Sequence, residues 1–450
     1  MLTDRAREST AVSRHPIEVV SDLTRSVAAV ETVDRRGRLA RVTEGRVEVR
    51  GLQVRHGDML AISGQGHEVL AQTIAVTPHG AIAALFDVSD GLGQGDQVRL
   101  IDDPPVRASA ALLGRVIDAL GRPLDDKGPL VGERVELRNE RPNPLRRTRI
   151  DKPLSTGVRV IDVMTPLAKG QRMGLFGGSG VGKSTLLGMM ARGVDSDLNV
   201  VALIGERGRE VREMIEDELG PEGMARSVVV VATSDEPAIM RRRAGELAVR
   251  LAEYFADAGS DVTLFFDSLT RLAMAERELG LAAGEPPTAR GYTPSVFALL
   301  PALLERTGPR ERGSITGLFT VLVDGDDMND PIADSARSIL DGHIVLDRRL
   351  AHQGRYPAVD PLASISRLAS AISEPEDAAA ATSLRAMMAA VEEVRDLVEV
   401  GAYAPGSNPT ADQGLLIEAD IRALLGQAPD DLVHADESRE RAKAIVERVR

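Results

Sequence analysis

Three patterns of apolar and polar positions follow one another along this 450-residue chain. From about residue 26 to residue 92 apolar residues alternate with polar ones, as in Arg46-Val47-Glu48-Val49-Arg50, and Gly45, Gly51, Gly57, Gly64, Gly66 and Gly80 punctuate the alternation. Short alternating runs with frequent turns predict a small antiparallel barrel or sandwich. From about residue 93 to residue 370 the apolar runs become continuous: "NVVALIG", "SVVVVATS", "VTLFFD", "TGLFTVLV" and "GHIVLD", separated by charged segments of helical character. Continuous runs suit strands buried on both faces of a parallel sheet, so an α/β core is expected here. Past Ser373 the chain turns alanine-rich. Leu384, Met388, Val391, Val394 and Val398 recur at helical spacing until Gly401, Pro405 and Pro409 break it, which predicts a helical C-terminal domain over 371–450. Residues 1–25 mix Arg, Asp, Glu and Ser and read as an arm. No internal repeat of fixed period is apparent.

One loop of the middle region carries chemistry. Gly177-Gly178-Ser179-Gly180-Val181-Gly182-Lys183-Ser184 fits G-x-x-x-x-G-K-[ST], and Thr185 follows. Glycines let such a loop turn its N–H groups onto phosphate oxygens; the lysine reaches the outer phosphates and the serine hydroxyl a Mg²⁺ ion. The context is the required one. "RMGLFG" predicts a strand before the loop, and Leu186, Met189 and Met190 give helical spacing after it, so phosphate would lie at a helix N-terminus. A plain glycine turn between strand and helix is the alternative.

Composition narrows the setting. The formal net charge of −13 disfavours general attraction to nucleic acid or anionic lipid. No cysteine is present, which removes disulfides, thiolate nucleophiles and cysteine metal sites. The polar opening "MLTDRARESTAVSRHP" does not resemble a signal peptide, and no apolar stretch approaches the ~18 residues of a membrane span. A cytoplasmic protein is expected.

Phosphoryl transfer needs charge neutralised and water aimed. Asp267 closes "VTLFFD", where a carboxylate would hold Mg²⁺; it also precedes "SLTRLAMAERE" and would serve as a helix N-cap. Glu206 follows "NVVALIG" at a strand's C-terminal end, where ligands bind in such sheets. It reads as the base that positions attacking water, or else as a first-turn charge of the helix in "REVREMIEDEL".

"GERGREV", "DSLTRLAMAERE", "GYTPSVFALLP", "DDMNDPIADSARSILDGHIVLDRRLA" and "GRYPAVDPLASISRLAS" together resemble the RecA-related rotary ATPases, over about residues 25–450. Within that family "KGQRMGLFGGSGVGKSTLLGMMARG" is most similar to the type III protein-export ATPases of flagella. The resemblance implies a RecA-like parallel-sheet core with an N-terminal β-barrel, and a homo-hexameric ring with ATP between subunits. It implies that Glu206 is the general base and that Arg207 and Arg271 lie near the γ-phosphate. It implies that Tyr356 stacks on adenine and that Arg367 of "SISR" reaches into the neighbouring subunit's site as an arginine finger. The implied partners are a dimeric regulator at the N-terminal arm, a coiled-coil stalk, chaperone–substrate complexes and the membrane export gate, beside which the ring would sit at the inner membrane.

Several relatives of that plan compete. A noncatalytic ring subunit usually lacks the base glutamate, which Glu206 supplies. A Rho-like RNA translocase needs stacking aromatics in its N-terminal domain, and residues 1–92 hold no Tyr or Trp and only Phe86. An ATP synthase catalytic subunit is closer, without the acidic helix-turn of its C-terminal domain. The export ATPase of virulence injectisomes shares nearly every motif. "DPIADSARSILDGHIVL" leans flagellar.

Overall fold

The computed structural model of the chain describes residues 36–137, 139, 143–323 and 330–449. The expected arm, residues 1–25, lies outside them. The alternating region closes into a six-stranded antiparallel barrel: β1 (Arg36–Thr43), β2 (Arg46–Arg50), β3 (Met59–Ser63), β4 (Glu68–Thr77), β5 (Gly80–Leu85) and β6 (Gln97–Ile101). Its inward positions, among them Leu39, Val47, Val49, Leu60, Ile62 and Val98, fill a core of their own. The boundary expected at residue 92 falls inside this barrel. Strand β6 pairs with both β1 and β3, and without it two edges would stand open. Its alternation is weak, with Val98 alone inward and Leu100 half exposed, which hides it from pattern reading.

The continuous apolar runs build one sheet. Its strands are β7 (Val116–Asp118), β8 (Arg172–Gly177), β9 (Leu198–Glu206), β10 (Ser227–Thr233), β11 (Asp261–Asp267), β12 (Ser314–Leu322), β13 (Gly342–Leu346) and β14 (Val359–Ser366). Across the sheet these eight lie in the order β14-β13-β8-β12-β11-β9-β10-β7, parallel throughout except for the β13–β14 pair, and the two-residue strand Gly308–Pro309 pairs antiparallel with β12 beside them. Helices cover both faces. Val200, Ala202 and Ile204 of β9 point into one core, against the helices Ala238–Asp257 and Leu269–Ala283; Val201 and Leu203 point into the other. A strand buried on two sides has no polar face to alternate with, hence its unbroken hydrophobic sequence.

The second core is shared with the C-terminal helices. Helix α1 (Arg159–Met164) packs with helix α3 (Pro375–Glu399) and helix α4 (Ala435–Glu447) through Val160, Ile161, Leu384, Met387, Ile445 and Val446, and helix α2 (Lys183–Gly193) adds Leu186, Leu187 and Met190 to the same core. The apolar stripe of α3 is rotated slightly from expectation: Met387 and Ala390 are buried, Met388 is half-buried and Val398 is exposed. The last turn of α3 lies at the margin of the core, which leaves Val398 38% exposed.

Asp162 of α1 is buried in this layer. Its Oδ1 accepts from the Thr156 amide and hydroxyl, both at 2.8 Å, while Oδ2 meets no donor and borders a cavity of about 240 Å³. Burial pushes its carboxyl up to about 6. The unfolded chain ionises Asp162 near pH 4 while the folded chain still holds the proton, so stability is lost as pH rises to about 6 and the loss is constant above. Asp162→Asn keeps the acceptor oxygen without that cost. In urea unfolding its advantage over the wild type should grow from about 1 kcal/mol near pH 4.5 to roughly 3 kcal/mol above pH 7. A gap that did not grow with pH would show that Asp162 ionises freely in the fold.

Candidate nucleotide-hydrolysis site

The sequence motifs converge where the parallel strands end. The loop after β8 carries the phosphate-cradle motif, and its Gly182 takes φ +90°, a left-handed conformation that a side chain would strain, so that α2 starts directly at Lys183. Ser184 is exposed at the start of that helix and Thr185 is half-buried. From α2 the Lys183 ammonium reaches across β12 to the carboxyl end of β11 and bonds Asp267 Oδ1 at 2.9 Å. Both side chains are nearly buried. Thr320 of the intervening β12 donates to the same oxygen at 2.6 Å.

Glu206 ends β9. The β9–β10 register slips between Ile204 and Glu206, at Gly205, whose φ is +71°. A Cβ there would stand 3.0 Å from Arg271 Cδ, so the bulge and the missing side chain together let Arg271 lie along the strand end. Arg271 Nε donates to Glu206 Oε1 at 3.0 Å. Burial first, then the charge of Asp267 and a hydrogen bond shared with Glu210, push the Glu206 carboxyl up to about 7; Lys183 and Arg271 oppose the rise. A carboxylate poised near neutrality suits a group that takes a proton from water. The helix that follows starts at Gly208, so Glu206 belongs to the strand, and Glu210 occupies the first turn. Asp267 is likewise no N-cap: Ser268 accepts from the Arg271 amide and caps that helix.

The other expected residues stand at the rim. Arg207 is exposed and pairs with Glu210 at 3.7 Å. The exposed Tyr356 ring lies 3.8 Å from where a Cβ on Gly182 would sit, at the mouth of the phosphate loop. Arg348, which pattern reading passed over, donates to the Ser179 carbonyl of that loop at 3.2 Å. Arg367 stands apart. Its amide bonds the Asp341 carbonyl, and Asp341 receives the amide of Arg172, the first residue of β8. The phosphate loop leaves the far end of the same strand, five residues or about 17 Å away.

Hard oxygen donors, the Asp267 carboxylate and the Ser184 hydroxyl, fit a Mg²⁺ ion. Among the described residues no three His, Cys, Asp or Glu side chains gather to hold a metal by themselves. An ion held by these two residues would take its remaining ligands from phosphate oxygens and water.

Residues 157–366 match the model of the ATP synthase alpha/beta family, nucleotide-binding domain, and residues 373–444 that of the T3SS EscN ATPase C-terminal domain. The flagellum-specific ATP synthase of Bacillus subtilis (strain 168) is 46% identical over 92% of this chain and 95% of its own length. The chain belongs to this ATPase family. The type 3 secretion system ATPase of Xanthomonas euvesicatoria is equally similar, 46% identical over 91% of this chain and 94% of its own. Among solved structures, the assembled ATPase EscN from the enteropathogenic E. coli type III secretion system superposes with a TM-score of 0.87 at 40% identity, covering 91% of this chain and all of that one. EscN in complex with its central stalk EscO gives 0.84 at 39% identity over the same shares. The expected fold class is therefore borne out, and the chain is a nucleotide-binding ATPase of the type III export branch.

Thr320 was missed by motif reading, although a threonine inside a continuous apolar strand beside the Asp267 strand was a signal. Fully buried, it fixes the carboxylate that faces Lys183. In this ATPase Thr320→Val should keep the melting temperature close to wild type, lower ATP turnover about tenfold and raise the Mg²⁺ concentration needed for half-maximal rate. Unchanged turnover and Mg²⁺ dependence would reduce Thr320 to packing.

Proposed function

We propose that this ATPase hydrolyses Mg²⁺-ATP to energise flagellar type III protein export, as a homo-hexamer whose active sites lie between subunits. The observation that carries the chemistry is the Lys183–Asp267 and Arg271–Glu206 arrangement at adjoining strand ends. Gly177, Gly178, Ser179, Gly180, Val181 and Gly182 wrap the phosphates, with the Thr185 amide at the helix start. Lys183 leaves Asp267 for the β- and γ-phosphates, and Asp267 and Ser184 hold Mg²⁺, which neutralises phosphate charge when bound. Glu206 accepts the proton of the attacking water. Arg207 and Arg271 stabilise the γ-phosphate, and Tyr356 stacks on adenine at the exposed rim.

The arginine finger is the part of the reading that requires a ring. Arg367 stands at the opposite end of β8 from its own phosphate loop, a separation longer than an arginine side chain. A catalytic role for it therefore needs a neighbour's nucleotide. EscN, 40% identical, was solved assembled and with a central stalk, which supports a ring and a stalk partner here. The flagellar assignment leans on relatives named flagellum-specific, at 44–46% identity, from Bacillus subtilis, Caulobacter vibrioides and Salmonella typhimurium. The injectisome is the second reading, favoured by the Xanthomonas relative. Deleting the gene and scoring flagellar filaments against secretion of virulence substrates separates the two. The regulator at residues 1–25, the chaperone–substrate complexes, the export gate and the cytoplasmic site beside the inner membrane follow from the same reading. No helix among the described residues is long and apolar enough to cross a membrane.

Lys183→Ala should abolish hydrolysis in a folded protein, and Glu206→Gln should bind ATP normally while losing turnover. Arg367→Ala should bind ATP and lose about 10³-fold or more in rate. Mixed with Lys183→Ala in one hexamer, it should regain activity, because some interfaces pair an intact phosphate loop with an intact finger. No rescue in demonstrably mixed rings would overturn the trans role.

A further inference from the structure

We propose that Glu218 is a positioning residue that captures the hydroxyl proton of Thr185 and thereby weakens the binding of ADP and ATP, easing product release. The inference rests on the phosphate-loop reading above and adds to it a residue that no motif marks.

Thr185 is the third residue of α2, within the first turn whose amides lack helical partners. A hydroxyl beside those amides is a ready extra donor to a phosphate. It has one proton, and that proton is engaged: Thr185 Oγ1 donates to Glu218 Oε1 at 2.8 Å. A hydroxyl–carboxylate bond is of the stronger, charge-assisted kind, so a phosphate oxygen gains little by competing for it. What remains to the phosphate from Thr185 is the backbone amide.

The chain is shaped to bring Glu218 there. Residues Met214–Leu219 form a π-helical turn between the short helices Gly208–Glu213 and Gly220–Ala225, a wider winding often found at functional sites. Glu218 settles on α2 over Gly188. A Cβ at Gly188 would stand 2.8 Å from both Cβ and Oε2 of Glu218, so only glycine leaves room for it. Arg192 of the same helix donates to the Glu218 carbonyl. Thr185, Gly188 and Arg192 are spaced three and four apart and so share one face of α2. Glu218 meets all three. The segment that carries it begins at Glu206 and Arg207, and the contact links the strand end holding the proposed base to the helix holding the phosphates.

The test measures Kd for ADP and for a non-hydrolysable ATP analogue by calorimetry in the full-length protein, with melting curves alongside. Glu218→Ala should bind both nucleotides about three- to tenfold more tightly, the worth of one hydrogen bond. Glu218→Met, which refills the space over Gly188 without an acceptor, should do the same and replaces it if the alanine variant fails to fold. Thr185→Val should stay within about twofold of wild type, and Thr185→Val/Glu218→Ala should equal Thr185→Val. Unchanged or weaker binding in Glu218→Ala and Glu218→Met would overturn the proposal. So would equal tightening in the Thr185→Val background, since that would assign the effect to lost negative charge. Lys183→Ala separates this inference from the reading beneath it. Wild-type binding that Lys183→Ala abolishes, with no shift on changing Glu218, overturns the role of Glu218 alone; no binding by the wild type overturns both.

Discussion

The Lys183–Asp267 contact is the interaction around which the site is organised. A parallel sheet delivers the carboxyl ends of its strands to one edge, and the groups that handle phosphate must be placed there, close together and largely out of water. Opposite charges at 2.9 Å make that placement tolerable. Removing one partner of a buried pair costs about 3–5 kcal/mol, because the other charge stays behind. Phosphate with Mg²⁺ would compete for both partners, offering Lys183 another anion and Asp267 a cation. If nucleotide binds as proposed, this ion pair is exchanged for contacts to the substrate.

The same logic of paired burial joins the domains. Arg243, 3% exposed, donates to the Ala119 carbonyl at 3.1 Å and to Asp103, just beyond the last barrel strand, and its guanidinium lies over the Phe86 ring. Arg46 of the barrel donates to the Ala282 carbonyl near the end of the helix that starts after Asp267. Glu253, fully buried, is held by two bonds from Arg306 at 2.9 Å and by Arg310 at 3.0 Å. Each is a directional contact between segments that hydrophobic burial alone would leave free to slide. Such pairs add little net stability compared with apolar replacements, and are better understood as fixing one docking geometry.

What the sequence revealed follows a physical division. Strands buried on both faces announce themselves by composition, and the phosphate loop by glycines its backbone requires, so the α/β core and the Lys183 site were legible from local pattern. Glu206 and Asp267 were legible because each ends an apolar run. The barrel's sixth strand was not, because β6 buries a single apolar residue and its partners are far off in sequence. The burial of Met387 in place of Met388 depends on how α3 rolls against α1 and α4, which no single helix encodes. Thr320, despite its odd place in an apolar strand, and Glu218 were passed over for a related reason. Their meaning lies entirely in a neighbour, Asp267 for one and Thr185 for the other, and both neighbours are reached only through tertiary packing. Tyr356 and Arg367 were singled out by resemblance alone, since an exposed tyrosine and an exposed arginine carry no local signal.

The place of Arg367 follows from the direction of its strand. Strand β14 runs antiparallel to β13, so while the parallel strands carry their chemistry to one edge, β14 delivers its last residues to the other. Its end is held there by the Arg367 amide on Asp341, beside the start of β8. A single subunit therefore presents a phosphate loop at one end of the sheet and an exposed guanidinium at the other, and no side-chain rearrangement brings them together. Folding separates the two within one chain, so the proposed finger role requires a second copy. If the arginine completes the catalytic charge, hydrolysis reports on contact between neighbours, and whatever shifts one subunit against the next changes the rate without touching a single residue of the phosphate loop.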